Sequence, residues 1–319
     1  MNAFKENFLA QLSKDVTEGL TSPQKYLKSK YFYDPAGDLL FRRITGLPEY
    51  YLTACETEIL KFESKSILEP FKLAKIPLNI IELGSGDAGK TRLLLEAADN
   101  LDLEVTYYPV DISPEVLKLA KKNTSRLVDV ETVSGDYTEI LERKRFLSLT
   151  NKLIVFLGSN IGNFSDAETT RFMQYLHRNI NAGDHVLIGF DLVKDPRIIL
   201  NAYNDVTGLT SEFNLNLLIM LNRELGADFN IENFFHAPLY DEKLKAAKSF
   251  LVSNKEQVVF FKKLNKSFSF AKGESVFTEI SSKYTIEGIE QMARDSGFSI
   301  VSTHTDHRNY FLDVLMQKN

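Results

Sequence analysis

Three glycines, Gly84, Gly86 and Gly89, stand at the spacing G-x-G-x-x-G within Asn79-Ile80-Ile81-Glu82-Leu83-Gly84-Ser85-Gly86-Asp87-Ala88-Gly89-Lys90-Thr91-Arg92-Leu93-Leu94-Leu95. An apolar run from Ile76 ends at Glu82, and a helical pattern starts at Leu93 and reaches Leu101, so strand, tight turn and helix follow one another. Such a turn lets a ligand lie on bare main chain beside the unpaired N–H groups of a helix N-terminus. On its own the spacing is a weak signal that fits NAD and S-adenosylmethionine alike. Glu82 and Asp87 would repel a pyrophosphate, whereas S-adenosylmethionine brings a sulfonium cation, an amino group and no phosphate. An acidic rim of this kind favours S-adenosylmethionine, although Lys90 and Arg92 offset part of the charge. Gly84, Ser85, Gly86 and Lys90 are therefore candidate cofactor residues.

Further residues of the right type stand at the ends of later predicted strands. Asp111 ends the run Leu103–Val110 and suits a ribose diol in either cofactor; it or Ser113 also suits the cap of a helix led by Pro114. Asp136 and Tyr137 follow Val128–Val133, where an acid can accept from an adenine amine and a phenol can pack on the ring. Gly158-Ser159-Asn160-Ile161-Gly162-Asn163 follows Asn151–Leu157, at the position where ligands meet open α/β sheets. Glu279 and Ser281 would share one face of a strand, placing an acceptor beside a donor/acceptor. Tyr33 and Tyr50 lie in polar turn settings next to Asp34 and Glu49, among N-terminal aromatics whose commoner role is burial.

The elements that must hold these residues alternate regularly. A helix over 166–181 and a strand His185–Asp191 continue the pattern, which implies a parallel sheet. The alternation stops at about Lys194. Residues 194–284 carry a helix over 214–225, the stretch Phe234–Asp241, strand-like runs over 246–252 and 257–264, and the Glu279 strand. A helix over 286–296 and two strands, 298–305 and 310–316, then read as a terminal hairpin. A parallel sheet finishing in an antiparallel hairpin is the outline of the class I S-adenosylmethionine-dependent methyltransferase core, an α/β Rossmann-like fold. The expected division is a cofactor-binding core over 61–195 and 285–319, with a second, substrate-binding domain over 1–60 and 196–284.

Composition narrows the partners. Lys and Arg number 38 against 43 Asp and Glu in 319 residues, a net charge of −5, so no strong attraction to nucleic acid or anionic membrane is expected. Cys55 is the only cysteine, which rules out an internal disulfide. No apolar run approaches the ~18 residues needed to span a bilayer, and residues 1–14 have no signal-peptide pattern. A cytoplasmic monomer acting on a small molecule, with no metal site, is expected.

Lys30-Tyr31-Phe32-Tyr33-Asp34, Leu47-Pro48-Glu49-Tyr50-Tyr51, Glu82-Leu83-Gly84-Ser85-Gly86, Leu157-Gly158-Ser159-Asn160-Ile161-Gly162-Asn163, Phe213-Asn214, Leu221-Asn222-Arg223-Glu224-Leu225-Gly226 and Thr278-Glu279-Ile280-Ser281 together resemble the histidine-specific Nα-methyltransferases of ergothioneine biosynthesis, which make trimethylhistidine (hercynine). The resemblance covers almost the whole chain in order. It implies that Asn163 and Tyr203 hold the carboxylate and amino end of the substrate, that Tyr33 and Tyr50 lie about its amino group and ring, and that Glu279 and Ser281 read its imidazole. It also matches Gly84, Lys90, Asp111, Asp136 and Tyr137 to cofactor positions. Ser249 stands where well-studied members have a methionine near the imidazole, and Leu52 where many have a proline.

The implied reaction is displacement at a sulfonium methyl by a neutral amine, with Tyr33 nearest the amine as the catalytic candidate. The resemblance implies three methyl transfers to the α-amine of histidine. The competing readings are a methyltransferase for another amino acid, an NAD-dependent oxidoreductase, and a non-catalytic sensor of S-adenosylmethionine or an amino acid.

Overall fold

A computed structural model describes residues 3–72, 76–142 and 146–319. The chain divides into two compact units, one of residues 51–194 with 282–319 and one of residues 1–50 with 195–281.

The first of these is built on a mixed sheet. In spatial order its strands are Phe298–Thr305, Phe311–Lys318, His185–Asp191, Lys152–Phe156, Leu78–Leu83, Val105–Asp111 and Asp129–Val130, with Val133–Ser134 also pairing to Val105–Asp111. The strands from His185–Asp191 onward in that order are parallel, and Phe311–Lys318 lies antiparallel between His185–Asp191 and Phe298–Thr305. The hairpin is therefore at the end of the chain, as its two short apolar runs predict. Lys152–Phe156 and His185–Asp191 are buried at every position, which is why they read as continuous rather than alternating runs.

Side chains still alternate between two cores. Ile81 and Leu83, with Ile188 and Phe190, join the core on one face, while Leu78 and Ile80, with Leu187, join that on the other. Helices start where capping residues stand: Ser113 precedes Pro114–Thr124, and Ser165 and Glu168 form a reciprocal capping box at Asp166–Asn179. Helix Tyr51–Leu68, whose first ten residues were expected in the other domain, belongs to this unit. The third strand, expected as one run over 128–133, is two short pieces broken at the exposed Glu131 and Thr132; only Glu131 N–H stays on Tyr107 O, at 3.0 Å.

The other unit carries helices Ala3–Thr21, Pro35–Ile44, Pro196–Ala202 and Leu209–Leu225 with two small sheets. One holds Ser275–Ser282, Ala246–Ser253 and Phe234–Asp241 in that order, and the other is the antiparallel hairpin Gln257–Phe261 with Lys266–Phe270. Phe234–Asp241 is an edge strand, the place where Pro238 costs no ladder bond. The run expected over 257–264 ends at Phe261, because the chain turns through Asn265 in a left-handed conformation (φ +49°) and pairs back.

The core of this unit contains the N-terminal aromatics. Phe32, Phe41 and Tyr33 pack on Phe213 at centroid distances of 4.8, 5.7 and 5.6 Å. Tyr31 is buried with its hydroxyl donating to Asp15 at 2.7 Å. Asp34 caps Pro35–Ile44 by accepting from Gly37 N–H at 2.8 Å, and is itself held by Asn216 Nδ2 at 2.7 Å and Arg223 Nη2 at 2.8 Å.

Candidate active site

In the sheet unit the predicted cofactor residues gather at the carboxyl ends of neighbouring strands. Gly84 and Ser85 donate their N–H groups to Val110 O at 2.8 and 3.1 Å, which ties the turn to the end of the adjacent strand. Gly86 has φ +54°, and a side chain there would meet nothing within 4 Å, so its main chain faces open space. Asp111 accepts from Gly86 N–H at 3.0 Å through one oxygen and from Ser113 N–H at 2.9 Å through the other. Burial raises its pKa, and the remaining lone pairs of the carboxylate can serve a diol.

Asp136 caps the short helix Tyr137–Glu142 by accepting from Thr138 N–H at 2.8 Å. The Tyr137 ring packs edge-on to Phe156 at 5.6 Å and Phe172 at 6.1 Å, and burial raises its phenol pKa. Lys90, directly before helix Thr91–Asp99, is ion-paired with Glu56. Asn163 ends the helical turn Asn160–Asn163 that follows strand Lys152–Phe156.

The acidic rim expected from Glu82 and Asp87 does not form. Glu82 is 3% exposed and accepts hydrogen bonds from the Thr91 and Tyr107 hydroxyls; burial pushes its pKa up to about 7. Asp87 accepts from Gly89 N–H at 3.0 Å, within its own loop. A strand end buried on both faces gives no alternation from which to read the direction of Glu82.

The predicted substrate residues other than Asn163 lie in the helical unit. The Tyr203 hydroxyl donates to Ser281 Oγ at 2.7 Å, and both residues are buried. Glu279 sits two residues earlier on strand Ser275–Ser282. Tyr33, Phe41, Tyr50 and Tyr203 form a chain of edge-on rings at 5.4, 6.1 and 6.5 Å. Tyr33, Tyr50, Tyr203, Glu279 and Ser281 thus belong to one unit, which brings three phenols, a hydroxyl and a carboxylate, group types that suit an amine and a nitrogen heterocycle. Ser249 is also buried, with its Oγ 3.1 Å from His236 Nε2, and burial lowers the pKa of that histidine to about 4.

Two buried clusters escaped the sequence reading. Asp191, at the end of its strand, binds Lys283 Nζ at 2.9 Å, the Tyr51 hydroxyl at 2.8 Å, and Lys194. Glu56 and Asp313, both wholly buried, converge on Gly189. No local spacing signals either cluster, because each joins elements far apart in the chain. Among the described residues no group of three or more His, Cys, Asp or Glu is arranged to hold a metal ion, and no helix is long and apolar enough to cross a membrane.

A sheet of this order, with a glycine turn after the first strand, an acid at the tip of the second and an antiparallel terminal hairpin, defines a class I S-adenosylmethionine-dependent methyltransferase. The open main chain at Gly86 and the carboxylate of Asp111 fit the adenosyl part of that cofactor. The chain belongs to the S-adenosylmethionine-dependent, histidine-specific methyltransferase family, whose model matches residues 12–318. It is 36% identical over 298 residues to the histidine N-alpha-methyltransferase of Mycolicibacterium smegmatis, covering 92% of this chain and 91% of that protein. To the enzyme of the same name from Mycobacterium tuberculosis it is 34% identical over 303 residues, covering 94% and 92%. It is also similar to ergothioneine biosynthesis protein 1 of Schizosaccharomyces pombe, 30% identical over 299 residues and covering 90% of this chain but 38% of that protein.

Proposed function

We propose that this protein methylates the α-amino group of L-histidine three times to give trimethylhistidine. The observation that carries this reading is the strand bearing Glu279 and Ser281, with Ser281 Oγ held by the Tyr203 hydroxyl at 2.7 Å. Glu279 accepts from one imidazole N–H. Ser281, whose Oγ accepts from the Tyr203 hydroxyl, meets the other ring nitrogen. A site built in this way disfavours a side chain that lacks the ring N–H, because the hydrogen bond that the glutamate accepts from it is then not made.

Asn163 and Tyr203 hold the carboxylate and amino end, Tyr33 and Tyr50 lie about the amino group and ring, and the phenol of Tyr33 lies nearest the amine. S-adenosylmethionine supplies an electrophilic methyl group. An α-amine is largely protonated at neutral pH, so the site has to favour the free base, and each of the first two transfers leaves a further proton to be lost. Tyr33 hydrogen-bonds the amine or passes its proton to water; a phenol of ordinary pKa near 10 does not need to ionise for either task. Most of the rate then comes from alignment of the amine with the methyl group. In this reading Gly84, Ser85, Gly86, Lys90, Asp111, Asp136 and Tyr137 hold the cofactor.

The test is mass spectrometry of products formed from S-adenosylmethionine and a mixture of free amino acids. Histidine gaining three methyl masses is the expected result. Histidine stopping at one or two would limit the number of transfers, and a different methylated amino acid would overturn the roles of Glu279 and Ser281. The second outcome has a specific motive, since Ser249 is small, buried and bonded to His236 where the family resemblance places a methionine.

A further inference from the structure

Glu56 lies on helix Tyr51–Leu68 and its side chain is wholly buried. Its two oxygens accept from Gly158 N–H at 2.8 and 2.9 Å, and one of them is paired with the ammonium of Lys90. Both partners stand at strand tips: Gly158 just beyond Lys152–Phe156, Lys90 at the end of the glycine turn. Gly189, on the neighbouring strand, makes room for the carboxylate. A Cβ there would stand 2.2 Å from Glu56 Oε1 and 3.1 Å from Asp313 Oδ1.

Asp313 is buried with neither carboxyl oxygen hydrogen-bonded among the described residues, and burial together with Glu56 raises its pKa well above the ordinary value. Asp313 is thereby held toward its neutral form beside the Glu56–Lys90 ion pair. Lys90 is 26% exposed at its side chain, so the partner of the buried Glu56 is not itself wholly enclosed. A lysine ammonium has three N–H groups, of which Glu56 needs one.

We propose that Glu56 is a positioning residue for cofactor binding: it fixes the Lys90 ammonium at the glycine turn so that the lysine meets the carboxylate of S-adenosylmethionine, the only anionic group of that cofactor. The proposal rests on Lys90 being a cofactor residue. A free lysine side chain surrenders its rotamer freedom on binding an anion, and the pairing with Glu56 has already removed that freedom. The residue acts through Lys90 and touches neither reactant.

Calorimetric titration of S-adenosylmethionine into wild type, Glu56→Gln, Lys90→Met and the double variant tests this. Glu56→Gln keeps an acceptor for Gly158 N–H but places a neutral amide against the ammonium. It is expected to weaken S-adenosylmethionine binding about tenfold in the wild-type background and not at all in the Lys90→Met background. A structural staple would weaken binding equally in both backgrounds, and that result overturns the proposal, as does unchanged affinity in Glu56→Gln. Unchanged affinity in Lys90→Met removes the lysine from the cofactor site and the proposal with it, while a wild-type protein that binds no S-adenosylmethionine overturns the cofactor reading itself. Where Glu56→Gln fails to fold, Glu56→Asp withdraws the carboxylate by one methylene with its charge retained, and a smaller loss confined to the Lys90 background is expected.

Discussion

Replacing Glu82 by Gln tests the burial of the carboxyl that precedes the glycine turn. In the folded protein its pKa is pushed up to about 7 from the ordinary 4.5 by burial, against the opposing hydrogen bonds from Thr91 and Tyr107. Below pH 4.5 the group is protonated both folded and unfolded, so it imposes no pH-dependent cost. As pH rises from 4.5 to about 7 the unfolded chain has released its proton while the folded protein retains it, and stability falls; above the folded value the loss is complete. At 1.36 kcal/mol per pH unit the full loss is about 3 kcal/mol. Glutamine removes the titration and keeps an amide that can bond both hydroxyls. Urea unfolding of the cofactor-free wild type and variant at pH 4, 5.5, 7 and 8.5 gives the difference directly. The stability of Glu82→Gln relative to wild type is expected to improve by about 3 kcal/mol between the lowest and highest pH. A difference that stays constant with pH would refute the argument, since it would mean the carboxyl titrates at its ordinary value and is hydrated.

The substrate site yields two further tests. Glu279→Ala should weaken histidine binding about ten- to a hundredfold and leave S-adenosylmethionine binding nearly unchanged, as read by calorimetry; equal losses for the two would contradict the imidazole role. Tyr203→Phe deletes the hydroxyl that holds Ser281 and should cost histidine binding about 1 kcal/mol, again without effect on the cofactor. Asp313→Asn replaces a buried carboxyl whose pKa is raised, so the variant should gain stability relative to wild type as pH rises above the ordinary carboxyl range and match its pH dependence below it; thermal unfolding across pH 4–8 would show a flat relative profile if the argument is wrong. Asn216→Ala, which removes a buried donor to Asp34, should cost about 1–2 kcal/mol of stability, whereas Arg223→Ala, at a half-exposed ion pair, should cost less than about 1 kcal/mol; comparable losses in urea unfolding would oppose this ranking.

The parts of the fold legible in the sequence are those whose physics is local. Buried parallel strands such as His185–Asp191 read as unbroken apolar runs, and the turn at Gly84 and Gly86 needs positive φ that glycine supplies. The hairpin after the last helix is legible as two short strand-like runs joined by Asp306–Asn309. Missed features depend on distant partners. Lys266–Phe270 becomes a strand only by pairing with Gln257–Phe261, and its turn uses Asn265 rather than glycine. Phe234–Asp241 contains a proline, which argues against a strand until its place at a sheet edge is known. For the site, the sequence indicated Asp111 at a strand tip, yet it could not show Glu82 turned inward or Glu56 meeting Asp313 across Gly189.

The Leu221–Gly226 segment of the resemblance helps frame the helical unit. Asn222 makes two hydrogen bonds with the main chain of Phe229, at 2.8 and 2.9 Å, and Gly226 ends helix Leu209–Leu225 in a left-handed conformation, so this part of the motif closes the helix. Arg223 reaches Asp34 from the same helix, joined there by the buried Asn216, and Asp34 starts the next helix directly after Tyr33. One face of Leu209–Leu225 thereby fixes the backbone beside Tyr33 while Phe213 fixes its ring at 5.6 Å. The role proposed for Tyr33 asks for position beside an amine, and a frame of buried amide bonds and ring contacts supplies position. That explains why the tyrosine segment and the helix motif, separated by most of the chain, occur together in one resemblance.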